Sequence, residues 1–314
     1  MTEACRTTVV VITHDRRDQV TRTLDRLAEL PERPPVIVVD NASRDGTAEA
    51  VARRHPHVTV LGSARNLGAA GRNLGVRHAR TPFVAFSDDD SWWEPGALRT
   101  AERLFDAYPR LGLVAATVRT GSDGAPDPLN ATLAGSPLGR PADLPGPEVL
   151  GFLACAAVAR RSAYLEAGGY HPALFIGGEE TLFAYDLAAR GWGVCHVPDV
   201  VAVHRPSGGA RPGRRAVMRR NAVLTAWLRR PPAVALRRTG ALVADARRDP
   251  EAREALRGVA ARLPAALRLR RPLPPAVEAA ARRLDTAAGP ATTPHGPGGT
   301  GGDLAVSTAR RSNG

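Results

Sequence analysis

Residues 83–98 read FVAFSDDDSWWEPGAL. Phe83-Val84-Ala85-Phe86 is a short apolar run, fit for a buried strand, and it delivers the chain into Asp88-Asp89-Asp90. Three adjacent carboxylates repel one another and need solvent, a cation or a structural partner. Asp88 and Asp90, two apart at a strand end, could share one hard divalent cation, which takes one or two carboxylates together with substrate phosphates. The alternative is a helix cap, with Asp90 or Ser91 opening a helix near Glu94-Pro95.

Upstream of this stretch, strand and helix signals alternate. Thr8–Ile12 is a β-branched run, residues 16–30 carry Val20, Leu24, Leu27 and Ala28 at helical spacing, and Val36–Val39 predicts a second strand ending at Asp40. A turn with Asn41, Ser43, Asp45 and Gly46 precedes a short helix over 47–54. Val58-Thr59-Val60 predicts a third strand and 83–86 a fourth. Repeated β-α-β units argue an α/β fold with a doubly wound, mostly parallel sheet, whose ligands bind beyond the carboxyl ends of the strands. Those ends carry Thr13-His14-Asp15, Asp40-Asn41 and the acidic triplet, so polar groups from three strands meet at one edge.

Four further segments carry candidate chemistry. In DNASRDGT (40–47), Asp40 is placed to accept hydrogen bonds from a ribose or base N–H, though Asn, Ser, Asp and Gly also suit an ordinary turn. In NLGAAGRNLGVRHA (66–79), Gly68 and Gly71 permit close backbone approach and Arg72 can meet a phosphate or base; a tightly packed small-residue helix is the alternative. In GGYHPALFIGGEETLFAYDLAARGWGV (168–194), Glu179 and Glu180 open a predicted helix, as a favourable charge at its N-terminus or as a general base facing an acceptor hydroxyl. His204, in VVAVHRPS, is a structural histidine or a metal ligand.

Composition narrows the class. The chain is 43% hydrophobic and 24% charged, as expected of a globular protein. Cys5, Cys155 and Cys195 form no CxxC pair, which argues against a disulfide framework and suits a reducing compartment. No segment approaches the roughly 18 apolar residues of a membrane helix, and the N-terminus lacks a signal-peptide pattern, so a cytoplasmic location is expected. The net charge of +12 is unevenly spread: 22 arginines face 24 acids through Arg205, and 21 face 7 beyond it, with no lysine anywhere. The expected organisation is a near-neutral domain over 1–210, an Arg-rich helical extension over 211–285 broken at Pro231-Pro232, Pro264 and Pro272, and a disordered tail over 286–314. Residues 121–148, dense in Gly and Pro, read as a long loop.

Taken in order, VVITHDR (10–16), VVDNASRDGT (38–47), ARNLGAAGRNLGVRHA (64–79), the acidic stretch, and GGY followed by GGEE resemble the family 2 glycosyltransferases of the GT-A fold, over residues 7 to about 230. The resemblance implies a Rossmann-like catalytic domain, with a nucleotide-binding half over 1–98 and an acceptor-side half over 99–210. It implies a nucleoside-diphosphate-sugar donor held by Thr13, His14, Asp40, Asn66, Gly68, Arg72, Asp88 and Asp89. It also implies Mg2+ or Mn2+ on Asp88 and Asp90 with His204 as a third ligand. Glu180, with Glu179 as runner-up, would take a proton from the acceptor hydroxyl in a single displacement that inverts the anomeric carbon. Ile12 stands where the family frequently has a proline, and two acceptor-side positions depart from the family pattern: Leu182, where another acid is frequent, and Asp186, where an arginine is, which makes Asp186 a minor candidate base. Trp92 and Trp93 could face a sugar ring or pack.

In RRAVMRRNAVLTAWLRRP, Val217, Leu224 and Leu228 share a helical stripe flanked by Trp227. That helix either packs on the catalytic domain with a solvated Arg face or lies on anionic lipid, suited to a lipid-linked acceptor. A saccharide or small-molecule acceptor is equally open, and nucleic acid is not expected, because no aromatic-interleaved module accompanies the arginines. Two other functions compete. A sugar-phosphate nucleotidyltransferase should carry a Gly-rich loop after the first strand, where THDRRDQ has no glycine. A non-catalytic scaffold with an Arg-rich membrane- or RNA-binding tail should be indifferent to metal.

Overall fold

A computed structural model of the chain describes residues 4–121, 124–206 and 213–288. The first half alternates as expected: β1 (Thr7–Thr13), α1 (Arg17–Ala28), β2 (Val36–Asp40), α2 (Thr47–Arg54), β3 (Thr59–Gly62), a 3-10 turn at Gly68–Gly71, α3 (Arg72–His78) and β4 (Phe83–Asp88). These strands run parallel in the order β3-β2-β1-β4. In β1, Val9 and Val11 enter the apolar cluster on one face and Val10 and Ile12 the cluster on the other, the period-2 signature of a strand covered on both sides. α3 lies so close to the sheet that a Cβ on Gly75 would stand 2.5 Å from Val10 Cγ1.

Beyond the acidic turn come β5 (Ser91–Trp93), α4 (Ala97–Ala107), β6 (Leu111–Thr120), β7 (Ala125–Pro126), α5 (Pro128–Ala134), β8 (Ala157–Arg160), α6 (Arg161–Ala167), α7 (Glu179–Ala188) and β9 (Gly193–His204). They extend the same sheet from β4 in the order β8-β6-β9-β5, with β7 pairing β6. Helix α4 begins at Ala97 behind left-handed Gly96, so neither Asp90 nor Ser91 caps a helix: Ser91 starts a strand, because pairing with β9 satisfies its backbone first. The 121–148 region is not wholly a loop, since Asp127 accepts from Leu129 N and caps α5.

The last described helices are α8 (Arg214–Arg229), α9 (Pro232–Asp245), α10 (Pro250–Arg268) and α11 (Pro275–Ala287). Pro264 lies inside α10 rather than breaking it, and the unforeseen break falls at Arg247–Asp249, where Asp249 caps α10 and Pro250 takes its first turn. α11 runs through residues 286 and 287, and the rest of the expected tail, 289–314, lies outside the described residues. Leu224 and Leu228 of α8 are fully buried with Leu174 and with Leu182 of α7. Val277, Ala281 and Leu284 of α11 pack on the sheet-side cluster. Buried Arg230 clasps α11 through Glu278 at 2.6 Å and Asp285 at 2.9 Å. No helix among the described residues is long and apolar enough to cross a membrane.

Candidate active site

The acidic triplet occupies the turn from β4 into β5, where Ser91 Oγ accepts from Asp88 N at 2.8 Å. Strand β5 pairs antiparallel with β9, opposing Ser91 to His204, and Arg205 N donates to Asp90 O at 2.8 Å. This ladder brings Asp90 Oδ1 to 3.3 Å from His204 Nε2, joining residues more than a hundred positions apart. Burial opposes the imidazolium of His204, but the hydrogen bond and charge of Asp90 outweigh it and raise its pKa above the ordinary value.

The other two carboxylates diverge. Asp88 is ion-paired with Arg72, a guanidinium nearly sealed from solvent that also sits 5.4 Å from the Tyr170 ring. Burial works against the charge of Arg72, and Asp88 more than restores it. Asp89 accepts from Thr13 Oγ1 at 3.2 Å and has Arg16 at 3.9 Å. Burial and the neighbouring Asp90 and Asp88 push its pKa up to about 7, against the pull of Arg16.

At the next strand end, the register sets Thr13 opposite Asp40, and both are buried. Asp40 Oδ1 accepts from Ser43 N at 2.9 Å, which closes the turn. Asn66 Oδ1 accepts from Gly68 N at 2.9 Å. Gly68 has φ +59°, and a Cβ there would stand 2.3 Å from the Phe175 carbonyl oxygen, so the loop requires glycine. His14 is instead exposed, 3.4 Å from Asp15, and the fold brings it no partner from the other strand ends. Trp93 is buried in the core and cannot face a sugar; Trp92 is half-buried with Arg205 5.2 Å from its ring.

Sequence reasoning assigned no role to two asparagines here, Asn41 at the strand end and Asn73. Asn41 Nδ2 donates to Gly68 O at 3.2 Å, holding the glycine loop against β2. Asn73 accepts from Tyr170 N and donates to Tyr170 O, both at 2.9 Å, tying α3 to the segment that precedes α7. Asn41 directly follows Asp40 and Asn73 directly follows Arg72, so adjacency to a motif residue was the only signal.

Glu179 and Glu180 start α7 behind left-handed Gly177 and Gly178 and are both buried. Burial and the charge of Glu180 push the Glu179 pKa up to about 8, and one of its carboxylate oxygens, Oε2, has no hydrogen-bond partner. Burial also raises Glu180, against the opposing effects of backbone N–H groups, Ala154 among them, and of Arg72. Two neighbouring carboxylates of this kind oppose each other's ionisation. The two departures, Leu182 and Asp186, are contacts with α8: Leu182 is buried in the shared cluster, and Asp186 pairs two-pointed with Arg229 at 2.5 and 2.9 Å.

Among the described residues no three His, Cys, Asp or Glu side chains converge as a ready metal cage. Asp90 and His204 do converge, with Asp88 held back by Arg72. The Asp90 carboxylate suits magnesium or manganese, and the His204 imidazole is a transition-metal ligand, so with substrate oxygens and water the donor set fits a divalent cation, manganese better than magnesium.

Residues 8–168 match the family described as Glycosyl transferase family 2. The chain is 26% identical over 231 residues to an N-acetylglucosaminyl-diphospho-decaprenol L-rhamnosyltransferase of Mycobacterium tuberculosis, covering 62% of this chain and 75% of that protein. A galactofuranosyltransferase of Mycolicibacterium smegmatis is 38% identical over 86 residues, 26% of this chain and 28% of that one. In fold the chain is similar to a mannosyltransferase of Pyrobaculum calidifontis solved with GDP-Man and Mn2+, at TM-score 0.55 and 24% identity, covering 91% of this chain and 80% of that one. The strand ends, the acidic turn and the motif order thus agree with the match, and the chain belongs to glycosyl transferase family 2, with a GT-A fold.

Proposed function

We propose that this glycosyltransferase moves a hexosyl or deoxyhexosyl group from a nucleoside-diphosphate sugar to a hydroxyl of a lipid-linked saccharide in bacterial envelope synthesis, with inversion at the anomeric carbon. The observation that carries the reading is Arg72, buried and paired with Asp88 while acting electrostatically on Glu179 and Glu180, so that donor-side and acceptor-side groups meet around one cation. The relative from M. tuberculosis, named for rhamnosyl transfer to a diphospho-decaprenol-linked sugar, supports the acceptor class.

Asp40 and Thr13 would take the nucleoside, and the Asn66–Gly68 loop and Arg72 the diphosphate, with Asp89 closing the floor beside Thr13. Asp88, Asp90 and His204 would hold the divalent cation, which when bound would neutralise charge on the departing diphosphate. The Glu179–Glu180 pair shares a proton that rests on Glu179, leaving Glu180 ionised to accept the acceptor's hydroxyl proton as the oxygen attacks. The C-terminal helices offer a lipid-facing surface. Leu236, Val243, Leu267 and Leu269 are exposed, and exposed Arg237, Arg247, Arg248 and Arg268 have no carboxylate partner among the described residues. Sedimentation with phosphatidylglycerol but not phosphatidylcholine vesicles checks this surface.

The deciding experiment is a thermal-shift screen of UDP-, dTDP- and GDP-sugars, each with manganese or with chelator. A metal-dependent shift for one nucleotide supports the donor site. No shift with any of them overturns it.

A further inference from the structure

The loop Leu174–Gly178 opens the helix that carries Glu179 and Glu180, and no side chain caps that helix. Phe175 is left-handed at φ +66°, a costly conformation for a bulky residue that persists only where surroundings enforce it. The enforcement comes from outside the loop. Asn221 of α8, fully buried, reaches Leu174 O at 3.0 Å, Ile176 O at 2.9 Å and Gly177 O at 2.6 Å through one amide nitrogen. Its two amide protons are shared over three carbonyls, while its oxygen accepts from Arg220 Nε at 2.9 Å. The remaining carbonyl, Phe175 O, accepts from Ala69 N of the donor loop at 2.7 Å. Four consecutive carbonyls are thus taken by two other segments, one in the donor site and one in α8.

We propose that Asn221 is a positioning residue for the proton-accepting Glu180: it sets the strained loop from which α7 departs and joins that loop to the donor segment. The proposal rests on Glu180 as the base. A carboxylate displaced by about 1 Å loses on the order of 100-fold in rate, so the loop's geometry is the base's geometry. On this account α8 is more than a packed extension, since it supplies the group that shapes the loop before Glu180.

The test compares Asn221→Ala with Leu224→Ala, a fully buried apolar truncation in the same helix, whose side chain has no hydrogen bond to offer the loop carbonyls. Asn221→Ala is expected to lower kcat about 10- to 100-fold, to leave affinity for the nucleoside diphosphate found in the thermal-shift screen within about twofold, and to speed hydrogen exchange over residues 175–181. Leu224→Ala is expected to lose Tm while keeping kcat per folded molecule. Equal kcat in the two variants, or unchanged exchange over 175–181, overturns the proposal. Should the alanine variant not fold, Asn221→Asp keeps the volume and removes both amide protons, and wild-type kcat there overturns it equally. Glu180→Gln is measured alongside: normal turnover in that variant removes the base and this proposal together, whereas an inactive Glu180→Gln with a fully active Asn221→Ala overturns the proposal alone.

Discussion

The donor edge of the sheet and the seam between α7 and α8 hold their functional groups by different means. At the donor edge, Thr13, Asp40 and Asp88 each end a strand, and the parallel register that sets Thr13 opposite Asp40 and Ile12 opposite Asp88 aligns them through backbone ladders. In the seam, Glu180 depends on a side chain from a distant helix, Asn221 on the preceding loop, while Arg229 on Asp186 and the cluster shared by Leu224 and Leu182 hold the two helices together. A backbone ladder tolerates side-chain substitution, because every residue contributes the same N–H and C=O. A side-chain seam does not. The donor edge should therefore lose function only where a binding group is removed, whereas the acceptor side should be damaged from afar.

Four substitutions sharpen or break this contrast. The largest effect is expected for Glu180→Gln, which should cost about 100- to 10,000-fold in transfer while leaving donor affinity intact; steady-state kinetics with calorimetric donor titration checks both. Next is Asp186→Ala, which strands buried Arg229 and should cost about 3–5 kcal/mol of stability, read by urea unfolding. A loss below about 1 kcal/mol would mean that the seam is not held there. On the donor edge, Asp90→Asn should weaken manganese-dependent donor binding about 10- to 100-fold without lowering Tm appreciably, and equal affinity with manganese or chelator in the wild type would refute the ligand assignment.

The smallest effect concerns pH. Because burial raises the pKa of Glu180 above its usual range, it is protonated, and unable to accept a proton, from nearer neutrality downward, so kcat should fall on acidification above the ordinary glutamate pKa. With the proton resting on Glu179, Glu179→Gln exchanges one neutral side chain for another and should leave that acid limb within about 0.3 pH units of the wild type, seen in a kcat–pH profile. A limb that moves down by a full unit or more would mean that Glu179 carries the charge and reverse the roles of the two glutamates.

Much of the donor half was legible in the sequence because its signals are local. Short continuous apolar runs ending in Asp40 and in the acidic triplet predict strand, edge and site together, and β1 to β4 fall within a residue or two of the expected spans. The cap reading of Asp90 and Ser91 failed for want of a partner: Ser91 pairs with His204, and nothing near residue 91 announces β9. Pro264 misled in the opposite sense, because packing of Ala255, Val259 and Ala266 carries α10 through it at the loss of one backbone hydrogen bond.

The sequence by itself determined the strands of the first half, the acidic turn and the charge asymmetry of the chain, since each is written in neighbouring residues through hydrophobic pattern, turn chemistry and composition. Only the tertiary structure decided that Asp90 meets His204, that Asp88 is drawn to Arg72, that Leu182 and Asp186 face α8, and that Asn221 holds the loop before Glu180. The physical reason is range. These pairings are chosen by which buried polar groups and apolar faces must satisfy one another once distant segments pack, and periodicity within a segment carries no record of its partner.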